Sequence, residues 1–98
     1  MIFDLSQVKT PESILDDFRK AIQRHLDSKA QVRGYDDIKS AALRAGYPGP
    51  FHDEGVKYAS WMDMCWAKSY EVLAKVQRGE MAQPSVPELI AQMPELVL

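Results

Sequence analysis

A single cysteine, Cys65, stands among the 98 residues, so no internal disulfide is possible. The fold must be held by packing and hydrogen bonds, and it needs no oxidising compartment. Histidine is nearly as scarce, with only His25 and His52. The start, Met1-Ile2-Phe3-Asp4, lacks the basic residues and the long apolar stretch of a secretory signal. No apolar run approaches the roughly 20 residues that a membrane-spanning helix requires. A cytoplasmic protein with no membrane partner is expected. A strong net charge is also missing: the formal value is -2, which creates no global field for nucleic acid or an anionic bilayer. Basic residues stop at Arg78, and residues 79–98 carry only Glu80, Glu88 and Glu95 as charges. An end segment that is both acidic and apolar suits docking on protein better than following phosphates.

What the chain does have is the balance of a globular protein, 46% apolar and 27% charged. Its length suits one core, so residues 1–98 are expected to form one helical domain. The first nine residues, with Ile2, Phe3, Leu5 and Val8, suggest an extended lead-in. Thr10-Pro11-Glu12 is a helix start: Thr10 can cap free N–H groups, and Pro11 in the first turn loses no hydrogen bond. Ile14, Leu15, Phe18, Ile22 and Leu26 then recur at helical spacing, with Ala21 and His25 between them. That pattern predicts a helix over 11–31. Asp36 or Asp37 can cap a short helix over 36–45, whose face of Ile38, Ala41, Ala42 and Ala45 permits close approach. The run Gly46-Tyr47-Pro48-Gly49-Pro50 must be a loop. A long helix over 52–78 follows, with Tyr58, Met62, Cys65, Trp66, Ser69, Leu73 and Val76 as its apolar stripe and Trp61 at the stripe's edge. Gly79 ends it. Ser85-Val86-Pro87-Glu88 fits the capping-box pattern and opens a last helix over 86–93. The fold class is all-α, a small bundle of three to four helices, with residues 80–98 as a docking tail.

Reactive constellations are hard to assemble from these residues. His52, Asp53 and Glu54 are adjacent, and neighbours on a helix point in different directions, so they do not share a metal ion readily. Asp53 and Glu54 read instead as acidic complements to a helix N-terminus. Cys65 sits on the apolar stripe between Met62, Met64 and Trp66, as a small buried hydrophobe would. The pairs Asp16-Asp17 and Asp36-Asp37 lie at helix starts, where the dipole favours them. No glycine-flanked serine elbow and no phosphate-cradling glycine pattern occurs. Neither a catalytic nor a metal site, nor any cofactor or small-molecule substrate, is expected. The alternative is a small DNA-binding regulator of helix-turn-helix type, built from 36–45 and 51–78. Its reading helix would open with His52, Asp53 and Glu54, the wrong charge for phosphates.

The second half resembles a segment found in small proteins encoded in the tail gene clusters of tailed bacteriophages and prophages. The likeness runs over residues 35–98. It rests on Tyr35-Asp36-Asp37-Ile38, Glu54-Gly55, Trp61 and the stretch from Trp66 to Leu73. It continues through Val76-Gln77-Arg78-Gly79 and the run from Pro84 to Pro94. One departure is Ser69, where the pattern has cysteine before the tyrosine. The resemblance implies a bacterial host and a non-catalytic tail-assembly or minor tail protein, with no catalytic residues to transfer. Its partner would be another tail protein or a second copy of itself. The contact residues expected from the sequence are Trp61, Leu89, Ile90, Met93, Leu96 and Val97, because a small domain can leave its terminal apolar face uncovered.

Overall fold

The computed structural model describes residues 11–98, and side chains from residue 15 onward. The lead-in with Ile2, Phe3, Leu5 and Val8, and the Thr10 cap, lie outside the described residues. Four α-helices follow in order: α1 (Pro11–Val32), α2 (Ile38–Leu43), α3 (His52–Gln77) and α4 (Val86–Ala91). A 3-10 turn, Arg44–Gly46, extends α2. No strand occurs among the described residues. The protein is a small all-α bundle.

Both long helices end in the same way. Gly34 and Gly79 adopt φ of 89° and 74°, a left-handed conformation that costs any residue with a Cβ about 1 kcal/mol. Gly34 N–H then donates to the Gln31 carbonyl and Tyr35 N–H to the Ala30 carbonyl. Gly79 N–H likewise donates to Val76 and Glu80 N–H to Lys75. These paired bonds satisfy carbonyls that would otherwise face nothing and turn the chain sharply.

Short polar contacts set the smaller helices. Asp37 caps α2, its carboxylate accepting from Ser40 N–H at 2.7 Å. Asp27, on α1, accepts from the Ile38 N–H at 3.0 Å and so ties the start of α2 to α1. Ser85 and Glu88 form the reciprocal capping box that opens α4. Gly55 is the tightest point of the bundle. A Cβ there would lie 2.6 Å from the Ala45 nitrogen and 2.7 Å from Arg44 Cβ. The 3-10 turn therefore rests directly on the first turn of α3, and only glycine permits that distance.

One core joins all four helices. From α1 it takes Ile22, Leu26 and Ala30, from α2 Ile38 and Ala41, and from α3 Tyr58, Trp61, Cys65 and Val72. Leu89 of α4 and Met93 just beyond it complete the set. The buried line of α3 is rotated from the expected stripe. Trp61, expected at the edge, is 2% exposed, while Met62, Trp66 and Val76 pack only partly buried against the core. The cause is α4. It lies against α1, and the segment after it reaches α3 at Trp61, so that side of α3 is covered by chain from the C-terminal end.

Candidate functional site

The C-terminal segment builds one side of a concavity against α1 and α3. After α4 the chain passes beside α1 and α3. The Trp61 indole N–H donates to the Pro94 carbonyl at 2.7 Å, pinning the segment across the core. What remains between this segment and the second half of α1 is an open groove of about 440 Å³. Its floor holds Tyr58, Trp61 and Met93, and its walls include Val32, Ile90 and Leu96. Lys29 and Arg33 stand on the α1 side and Glu95 on the other.

Burial shifts three titratable groups in and near this groove. The His25 ring packs on Trp61, centroids 5.7 Å apart and tilted by 60°. Burial lowers the His25 pKa, and the Lys29 charge lowers it further, so the ring stays neutral near pH 7. Tyr58 is fully buried with Tyr35 edge-on at 5.7 Å. Burial, then the nearby Glu54 carboxylate, raises its pKa. The Tyr58 hydroxyl and Glu54 Oε1 both lack a hydrogen-bond partner. Arg33 Nε stands 3.8 Å from Glu54 Oε1, an ionic contact too long for a hydrogen bond. Cys65 is buried, and burial pushes its thiol up to about 11, which suppresses the nucleophilic thiolate.

The structure divides the six expected contact residues. Trp61, Leu89 and Met93 are core residues, covered by their own chain. The expectation of an uncovered terminal face fails for them because docking of the C-terminal segment completes the small core that α1 to α3 leave open. Ile90 and Leu96 are half-buried on the groove wall. Only Val97 stands free, 77% exposed. Within residues 80–98, Pro84, Leu89 and Met93 are buried against the rest of the chain.

Several surface features went unread in the sequence. Val32 is 81% exposed and lines the groove, just past the end expected for the first helix. At the Gly/Pro loop, Leu43, Tyr47 and Phe51 are exposed. Arg44 holds that corner together. Its guanidinium lies 5.7 Å over the Phe51 ring and donates to the Tyr47 hydroxyl at 2.6 Å. Two aromatics flanking the prolines were the available signal.

Other chemistry is thin. His52 Nδ1 and Asp53 Oδ1 approach to 3.3 Å. No group of three or more His, Cys, Asp or Glu side chains converges among the described residues. No described helix is long and apolar enough to cross a membrane. The first turn of α3 presents Asp53 and Glu54, and Asp53 projects fully into solvent. Comparison with protein-family models, with curated proteins and with solved structures returns no match.

Proposed function

We propose that this chain is a non-catalytic protein-binding protein, and that it serves in the assembly or minor structure of a phage or prophage tail. The observation that carries the first half is the groove. It has an apolar floor and charges of both signs at its rim. Such a surface suits adhesion to another protein. The tail context is supported by the residue pattern from Tyr35 to Pro94. In this reading the partner seated in the groove is a tail component or another copy of the chain.

Co-expression with the products of the genes flanking its own tests the reading. A stable complex with a tail protein is expected, with the groove residues protected from hydrogen exchange. Flanking genes unrelated to tails, or no complex with any of their products, would remove the tail role.

A further inference from the structure

The rim of the groove carries opposite charges that do not meet. Lys29 on α1 and Glu95 on the C-terminal segment are both exposed and both line it. Neither forms an ion pair with another described residue. Arg33, one turn on from Lys29, stands 3.8 Å from Glu54. Between the two sides lie Val32, Ile90, Leu96 and Leu98, and Val32 is almost wholly exposed. Apolar surface ringed by unpaired charge marks a contact site.

The pattern also restricts the occupant. A covering surface must bring an anion to Lys29, a cation to Glu95 and apolar side chains between them. A uniformly acidic partner would meet Glu95 with like charge, and a uniformly basic one would meet Lys29 and Arg33. The rim itself carries the required set: a cation at Lys29, an anion at Glu95 and apolar side chains in the same lining. Under a twofold axis residue i of one copy meets residue j of the other, and j meets i.

We infer that the groove is the contact surface of a homodimer. Lys29 of each copy faces Glu95 of its partner, and Val32 and Leu98 pack across the axis. This inference rests on the protein-binding reading and names the partner at the same site.

Sedimentation equilibrium of the full chain tests it. A dimer is expected, loosening as salt rises because the facing charges are exposed. Lys29→Glu and Glu95→Lys each set like charges across the axis, and each is expected to raise the dimer dissociation constant roughly tenfold. The double variant restores opposite signs and is expected to recover most of that loss. Circular dichroism checks that these surface variants stay folded. A chain monomeric at every concentration overturns the inference. So does a dimer indifferent to both single reversals, or a double variant no tighter than the singles. A monomer whose groove is protected by a flanking gene's product would refute the second copy while leaving the protein-binding reading standing. A monomer whose groove nothing protects would end both.

Discussion

Replacing Trp61 with phenylalanine keeps a ring in the core and deletes one hydrogen bond, the 2.7 Å contact from the indole N–H to the Pro94 carbonyl. That bond is the visible clasp between α3 and the C-terminal segment. A net hydrogen bond contributes about 1 kcal/mol, and a partly buried carbonyl left without a donor moves the cost toward ~2 kcal/mol. The smaller ring also withdraws area from His25, adding on the order of 1 kcal/mol. A total of about 2–3 kcal/mol in a domain of this size lowers the melting temperature by on the order of 10 °C. Thermal unfolding followed by circular dichroism measures that fall. Hydrogen exchange locates it: amides in 89–96 should lose more protection than those of α2, because the segment loosens before the rest. An unchanged melting temperature together with unchanged exchange in 89–96 would refute the claim that this bond fastens the segment.

Further outcomes follow from the same packing. Deleting residues 84–98 removes Leu89 and Met93 from the core, on the order of 5 kcal/mol of gross burial. The truncated chain is expected to lose cooperative unfolding, and a truncation that melts like the full chain would show the segment to be dispensable. Gly55→Ala gains about 1 kcal/mol of helix propensity, but its Cβ meets backbone at 2.6 Å. The clash is expected to win, as a net fall in denaturant midpoint, and a rise would contradict the close approach of the 3-10 turn to α3. Cys65 is expected to resist thiol reagents in the folded chain and to react on unfolding. Its folded pKa lies above its ordinary 9.0, so the native state holds the proton more tightly. Its contribution to stability is therefore full below about pH 9 and declines as pH rises toward about 11, a limb that Cys65→Ala should flatten in alkaline melts. Glu88 has the opposite sign. The Ser85 hydrogen bonds hold its carboxyl below the ordinary carboxylate range, so its stabilisation of α4 is present above about pH 4.5 and fades on acidification. Glu88→Gln should remove that acid dependence while keeping a capping side chain, as exchange rates at the start of α4 would report.

Local chemistry made most of the fold legible. Pro11 acts through its fixed φ and missing N–H, and Asp37, Gly79 and the Ser85–Glu88 box through bonds to near neighbours, so they mark helix ends without any knowledge of what packs where. The long helix expected over 52–78 and the observed His52–Gln77 accordingly agree within a residue. Gly34 and Gly79 stop their helices by the same paired bonds. The short helix over 36–45 divides into α2 and a 3-10 turn, because Gly55 draws that end of the chain onto α3. A glycine in a first helical turn gives no sign of this, since the reason for it lies in the backbone of Arg44 and Ala45. Trp61 and the last helix show the same limit. Periodicity placed Trp61 at the edge of a stripe and left Leu89 and Met93 as an uncovered face. Whether an apolar face is free depends on what returns to cover it, and here residues 86–96 return. The groove was invisible for that reason. Lys29 and Val32 are far in sequence from Glu95 and line one groove with it only after the C-terminal segment has docked.

The central claim is that this groove, closed by the chain's own end, is where another protein binds. Hydrogen exchange of the chain when dilute, and again when associated with a second copy or a flanking gene's product, tests it most directly. Added protection is expected in 29–33 and 90–98, with the first turn of α3 unchanged. Protection confined to 43–57, or none at all on association, would contradict it.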